Sequence, residues 1–278
     1  MINRTTVTGR TAKVMFLGIW LIITLFPLYW IIVTALKSPG AINAYPLQYW
    51  PKNISFENFT GLFGEANFGI YMLNSLIAAT VSAAVVTLIS LLSGYIIARF
   101  VFRGRGAVMS AFLLTQMIPA FIALGPLYTM MNYFGLVDSR RGLILVYIAI
   151  LIPFSTIMLR GFFENVPDAL EEAAMIDGCS RLTALFRILV PVMFPGIAAA
   201  FVFNFVNSWN ELFLSVTLMN SDSNKTIPSA LNGFVTTYNI EWGSLSAAAV
   251  LTIVPTLIVF AFASKYIVQG LTAGAVKG

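Results

Sequence analysis

The side chains able to do chemistry in this 278-residue chain are few and tightly placed. Asp168, Glu171, Glu172 and Asp177 crowd one short stretch, with Ala173 and Ala174 among them and Gly178 just after. Carboxylates so exposed by their neighbours can receive an arginine or lysine from another surface. The two alanines let that surface approach the backbone closely. Other chemistry is excluded by composition. The chain has no histidine and a single cysteine, Cys179. That removes His-based catalysis, His metal sites and an internal disulfide. No CxxC, HExxH, GxSxG or GxxxxGK[ST] pattern occurs. No catalytic residue, no metal site and no cofactor are expected on this chain. Any ATP and its Mg would be bound by another chain.

The elements that must position these residues are membrane helices. The chain is 59% hydrophobic and 10% charged, with mean hydropathy +0.87, whereas a soluble domain carries about 25% charge. Six apolar runs, Val14–Leu36, Tyr71–Ala98, Ala107–Met131, Gly142–Leu159, Ile188–Asn210 and Gly243–Ser264, each have about the length that crosses 30 Å of hydrocarbon. The first is too long for the apolar part of a signal peptide and lacks a clean cleavage site, so it reads as a retained helix. The expectation is an all-α, polytopic protein with six transmembrane helices. Of the 16 lysines and arginines, eleven fall on the side that holds both termini and five on the other. Positive charge marks the cytoplasmic side, so both termini are expected there. Topology then accounts for the net charge of +5, and nucleic acid is not needed as a partner. The opposite side carries two longer loops, Lys37–Ile70 and Met219–Trp242.

The carboxylate cluster therefore lies in a cytoplasmic loop between Arg160 and Arg187. Pro167 precedes Asp168, which is placed to cap a helix over Ala169–Asp177, with Glu171 completing a capping box. Gly178 sits where a left-handed residue ends a helix. Ser180 can cap a second helix, whose Leu182, Leu185, Phe186 and Leu189 form one apolar stripe. The loop reads as two short helices joined by a glycine elbow on the membrane face. By itself it could be an interfacial amphipathic helix without a partner.

A longer pattern resolves that choice. Glu172-Ala173-Ala174, then Gly178, Ile188 and Pro191, resembles the EAA loop of ATP-binding-cassette importer permeases, with Val190 where that pattern has leucine. The ending "QGLTAGAVKG" (Gln269–Gly278), "NSL" at Asn74–Leu76, "VDS" at Val137–Ser139 and "SWNE" at Ser208–Glu211 are similar to the maltose-type (MalG-like) permeases of carbohydrate importers. The likeness implies the MetI-like permease fold and a bacterial cytoplasmic (inner) membrane location. It implies a homologous sister permease, two ATPase subunits and an extracytoplasmic sugar-binding protein as partners, and a carbohydrate, an oligosaccharide by preference, as substrate. Carried onto this chain, Glu171, Glu172, Ala173, Ala174, Asp177 and Gly178 are ATPase-coupling residues. Ala273, Gly274, Ala275, Val276, Lys277 and Gly278 form a tail that contacts the ATPase pair. Residues 1–70 hold the N-terminal tail, first helix and outer loop. Residues 71–267 form the permease core with the coupling loop at about 160–190, and 268–278 form the tail. The Met219–Trp242 loop would reach toward the binding protein.

Asn204, Asn207, Ser208 and Glu211 fall within about 100° on a helix, followed closely by Asn210. Unpaired polar groups in hydrocarbon cost several kcal/mol, so these should face the bundle interior or a wet cavity. They could meet a sugar, with Trp209, Phe203 and Phe205 close by. They could equally form hydrogen bonds between helices, the reading favoured for Asn204 and Ser208. Gln116 and Thr115 are a second pair of pathway candidates. The alternative class is a secondary transporter driven by an ion gradient, which should show charges at mid-membrane; the six runs carry none in their interiors.

Overall fold

The computed structural model describes residues 7–64, 66–235 and 240–275. Among them the chain is helical: α1 (Val7–Ala35), α2 (Pro39–Ile42), α3 (Glu57–Gly64), α4 (Phe68–Arg99), α5 (Arg105–Met117), α6 (Ala120–Tyr133), α7 (Arg140–Glu164), α8 (Ala169–Ile176), α9 (Arg181–Ala184), α10 (Val190–Trp209), α11 (Phe213–Leu218), α12 (Ile227–Gly233) and α13 (Trp242–Ala275). Five stretches are long and apolar enough to cross a membrane: Gly9–Ala35, Phe68–Arg99, Arg140–Glu164, Arg181–Trp209 and Trp242–Lys265. The run expected over Ala107–Met131 is not one straight helix. It is the pair α5 and α6, bent by 105°. Ile118, at the break, is extended with φ −78° and ψ 119°. Pro119 explains this, because its ring disfavours helical backbone in the residue before it and it has no N–H to donate.

The chain divides into two compact units. The smaller takes the N-terminal residues through Phe68 with Gly233–Val254; the larger takes Gly69–Asn232 with the residues from Pro255 on. In the smaller unit, Asn58 is buried and donates from Nδ2 to the carbonyls of Ala35 and Lys37, at 2.9 and 2.7 Å. This ties α3 to the end of α1 and satisfies two carbonyls that the helix leaves open. Lys37 is 1% exposed, with its Nζ 4.6 Å from the centre of the Trp30 ring. Burial lowers its pKa from the ordinary lysine value.

The larger unit holds two apolar clusters. One joins Ala78, Met131, Leu143, Val146, Tyr147, Leu214 and Leu218. The other joins Leu91, Tyr95, Leu159, Phe163, Leu185, Leu189 and Met193. Between them α4, α7 and α10 share polar contacts. Ser155 Oγ donates to Asn204 Oδ1 at 2.6 Å, Asn204 Nδ2 donates to Thr87 Oγ1 at 3.3 Å, and Thr156 donates to Ser90 at 3.3 Å. Small residues allow the approach: a Cβ on Gly94 would lie 3.0 Å from the backbone nitrogen of Arg160.

Asn204→Leu should remove the acceptor of Ser155 and leave that hydroxyl buried and unpaired. The expected loss is about 0.6–2 kcal/mol, the range for hydrogen bonds between membrane helices. Thermal unfolding of the purified chain in detergent measures it.

Candidate functional site

Two places gather the polar residues: the loop before α9, and the loop after α11. Both lie in the larger unit.

In the first, α8 forms over Ala169–Ile176. The amides of Glu171 and Glu172 bond to the carbonyl of Asp168 at 2.9 and 3.1 Å. The Asp168 side chain does not cap this helix, and the expected capping box is absent. Its carboxylate pairs instead with the Nη1 of Arg99. A full guanidinium charge attracts a carboxylate more strongly than an amide dipole does. At the other end Gly178 has φ +87°. Its amide bonds to the carbonyl of Met175 at 3.1 Å, and the Cys179 amide bonds to that of Ala174 at 3.0 Å. This double closure is the Schellman stop, and it needs a residue that tolerates the left-handed region. Ser180 then caps α9, with its Oγ accepting from the Thr183 amide at 3.2 Å.

α9 does not end as a separate surface helix. It runs through a π-helical turn, Leu185–Leu189, directly into α10. Pro191 lies one turn on; lacking an N–H, it cannot continue the ordinary ladder, and a wider turn relieves the crowding of its ring. The expected apolar stripe also divides. Leu185 and Leu189 are fully buried, while Leu182 and Phe186 are exposed.

The faces of α8 differ sharply. Glu171 is 5% exposed and Ala174 3%. Glu171 Oε1 accepts from the Tyr95 hydroxyl at 2.5 Å, and its Oε2 lies 3.4 Å from Arg99 Nε. Arg99 also donates from Nη2 to the Val166 carbonyl at 2.7 Å. Glu172, Ala173, Ile176, Asp177 and Gly178 point outward. Ile176, 86% exposed, is a bare apolar knob beside two carboxylates. Ile176, Tyr95 and Arg99 were not legible as site residues from the loop alone. The available signal was Arg99 itself, a charge closing an otherwise uncharged run.

The second place brings together three of the short sequence matches. Asn74 donates from Nδ2 to the carbonyls of Ser223 and Lys225, both at 2.9 Å, and the adjacent Ser75 Oγ accepts from the Ile227 amide at 2.8 Å. Asp138 Oδ1 accepts from the amides of Asn220 and Ser221, both at 3.0 Å, and its carbonyl accepts from Asn224. Glu211 accepts from the amides of Leu214 and Ser215 at 2.9 and 3.1 Å, so it caps α11. Burial raises the Glu211 pKa above the ordinary carboxylate value, against these hydrogen bonds.

Asp138 behaves oppositely. Burial pushes its pKa up, but the hydrogen bonds from Ser221, Asn220 and Asn224 together outweigh it, and the net shift is downward from 3.8. A depressed carboxylate adds stability that is fully present above its unfolded pKa and is lost as pH falls through the folded one. The 219–227 loop should therefore become more open to protease as pH drops below the ordinary carboxylate range. Asp138→Asn should flatten that dependence, read by limited proteolysis across pH.

The remaining pathway candidates are scattered. Asn204 is fully buried in the contacts between α4, α7 and α10, and Ser208 is 6% exposed beside it on the same face. Asn207 is exposed and donates to the carbonyl of Phe203, one turn back, so it does not share the interior face expected for it. Asn210 likewise is exposed and donates to Val206. Residues four apart on a helix stay within about 40° of each other, whereas three apart turns to the other flank. Gln116 is exposed at the end of α5, 3.4 Å from the Thr115 hydroxyl. Phe205 and Trp209 are buried and stacked at 5.7 Å, and Phe203 stacks on Phe154 at 4.4 Å. In the C-terminal tail, Val276, Lys277 and Gly278 lie outside the described residues, as do the side chains of Ala273, Gly274 and Ala275. Among the described residues no group of acidic, histidine or cysteine side chains is arranged to hold a metal.

Residues 90–272, which contain both places apart from Asn74 and Ser75, match the family described as binding-protein-dependent transport system inner membrane component. The chain belongs to that family. It is thus a multi-pass inner-membrane component of a binding-protein-dependent transport system, and the family anticipated from Glu172-Ala173-Ala174 is the one found. The diacetylchitobiose uptake system permease protein DasC of Streptomyces coelicolor is 37% identical over 269 residues, covering 96% of this chain and 95% of the relative. The sulfoquinovosyl glycerol transport system permease protein SmoH of Agrobacterium fabrum is 34% identical over 271 residues, covering 98% and 95%. The crystal structure of a bacterial ABC transporter that imports the acidic polysaccharide alginate contains a chain with the same fold, with TM-score 0.82 at 20% identity, over 96% of this chain and 99% of that one. Membership decides between the two transport classes: a component of a binding-protein-dependent system rather than a carrier driven by an ion gradient.

Proposed function

We propose that this chain is a permease subunit of an ATP-binding-cassette importer for a carbohydrate, with an oligosaccharide as the best-fitting substrate. The observation that carries the reading is the outward face of α8. Glu172, Ala173, Ile176 and Asp177 stand free there, inside the region that the family matches. A small apolar knob flanked by carboxylates suits a cleft rimmed by arginine or lysine on a separate ATPase subunit. ATP and Mg are bound by two such subunits. A homologous sister permease completes the pathway, and an extracytoplasmic binding protein delivers the sugar. The termini and α8 face the cytoplasm, as the distribution of arginine and lysine supports. The tail from Ala273 to Gly278 contacts the ATPase pair.

The carbohydrate assignment rests on the relatives, whose names include diacetylchitobiose, sulfoquinovosyl glycerol and trehalose systems. Asn204 acts between helices in the state described, and its role is to hold α10 rather than to read a sugar. The hydrogen bond between helices expected of Ser208 is not formed, because its buried hydroxyl meets no partner among the described residues.

The test is co-purification. The chain carries one cysteine, Cys179, half-buried beside α8. A photocross-linker placed there in native membranes should capture an ATPase subunit, and mass spectrometry should find a saccharide on the binding protein of the same complex. Capture of lipid alone, with no nucleotide-binding chain, would overturn the reading.

A further inference from the structure

Besides the covalent chain, α8 has a second attachment. One guanidinium reaches three parts of its loop: Arg99 meets the Asp168 carboxylate, the Glu171 carboxylate and the Val166 carbonyl. Tyr95, one turn earlier on α4, donates to the same Glu171. Arg99 is 9% exposed and Glu171 7% by side chain, so solvent and salt screen the pair weakly. A planar fork held at several points fixes direction as well as distance. The Tyr95 ring is itself held by Phe100 and Phe163, at 5.7 and 5.5 Å between centres. By contrast, the covalent path from α8 toward α10 passes a single left-handed glycine and then a π-helical turn, both of which can yield.

The other end of α4 is also fastened. Asn74 and Ser75 hold the backbone of Ser223, Lys225 and Ile227. Between Asn74 and Tyr95 the helix is unbroken and contains no proline. At 1.5 Å per residue that span is about 32 Å, which matches the hydrocarbon thickness.

We infer that α4 is a strut latched at both ends, by Tyr95 and Arg99 to the α8 loop and by Asn74 and Ser75 to the 220–227 loop, so that displacement of α8 is delivered to the opposite membrane face. Tyr95, Arg99 and Glu171 are positioning residues in this scheme. Glu171 holds α8 to its own chain, and Glu172 is the carboxylate left for the partner. The inference rests on the reading of α8 as the ATPase contact.

The experiment uses the full complex in nanodiscs, in a Cys179→Ala background carrying Asn220→Cys. Asn220 is exposed, and only its backbone amide joins the loop bonds described. Maleimide labelling at position 220 should change about five-fold or more between nucleotide-free and ATP-bound complexes, the scale of ordinary coupling between sites. Arg99→Gln and Glu171→Gln should each bring that difference within two-fold and lower sugar moved per ATP hydrolysed about ten-fold. The ATPase should still co-purify and hydrolyse. The double variant should lose less than the two single losses combined, because the Arg99–Glu171 pair is common to both. Tyr95→Phe keeps the packed ring and gives the same reading if Arg99→Gln yields too little folded protein. A nucleotide response at position 220 that survives these changes overturns the strut, and so does its absence in the unaltered complex. Loss of the ATPase together with transport in the variants also overturns it, since that is a docking defect. A parent complex without any ATPase instead defeats the reading of α8 itself.

Discussion

Glu172→Lys is expected to abolish sugar uptake while leaving the folded permease intact. Glu172 is exposed and makes no ion pair among the described residues, in contrast to its neighbour Glu171. Within the isolated chain, the substitution forfeits only a favourable acid in the first turn of α8, worth about 0.3–1 kcal/mol. At an interface the same change is severe. It removes one partner of a desolvated ion pair and sets a like charge in its place, at about 2–5 kcal/mol. That is at least a thirty-fold loss of affinity for the ATPase subunit. Pull-down of the ATPase with the tagged permease, beside radiolabelled sugar uptake, measures both. Glu171→Lys should act differently, because Glu171 is buried against Tyr95 and Arg99. It places a second cation beside Arg99 and should reduce folded yield before any docking is scored. If Glu172→Lys and Glu171→Lys gave the same loss of folded protein, the assignment of outer and inner faces would be wrong.

Gly142→Ala is expected to prevent folding of the larger unit. A Cβ at position 142 would lie 2.2 Å from the carbonyl oxygen of Leu136 and 3.0 Å from its Cβ. A flexible side chain could swing away, but a backbone carbonyl in this corner cannot. The Leu136 amide is bonded to Met131 and the Asp138 amide to Leu218, both at 2.8 Å. Asp138 itself sits at φ +55°, an unusual backbone for a residue with a side chain. Relieving the clash means opening the junction of α6 and α7 and with it the Asp138 bonds to the 219–227 loop. Overpacking of this kind costs about 3 kcal/mol or more. Gly161→Ala, in the same helix, is the control. Nothing lies within 4 Å of its Cβ position, and alanine favours helix there by about 0.8–1.0 kcal/mol. Size-exclusion yield and thermal unfolding in detergent should separate the two variants in opposite directions.

The apolar runs determine the membrane class and most of the spans, because a helix in hydrocarbon must satisfy its backbone internally and hide its charges. Hence α1, α4, α7, α10 and α13 were all visible in advance. The third run was visible as apolar but not as bent. Pro119 signals a break, yet Pro126, Pro153 and Pro195 lie inside helices that the structure continues through. Whether a proline breaks a helix depends on which neighbours absorb the orphaned carbonyl, and those come from elsewhere in the fold.

The α8 loop shows the same division more finely. Gly178 and Ser180 act locally, through their own backbone and the next few residues, so their roles could be read from the string of residues alone. Asp168 and Glu171 could not. Both look like first-turn acids, and only the arrival of Arg99 and Tyr95, some 70 residues earlier in the chain, buries Glu171 and ties the exposed Asp168 to α4. Asn207 was grouped with Asn204 by spacing, but the helices that pack on α10 reach only one of the two. By itself the sequence determined the family, the helical membrane class and the local stops and starts, because each depends on composition or on neighbours within a few residues. The tertiary structure alone decided which carboxylate stays exposed and which is spent as an internal tie, because burial and ion pairing are set by residues far apart in the chain.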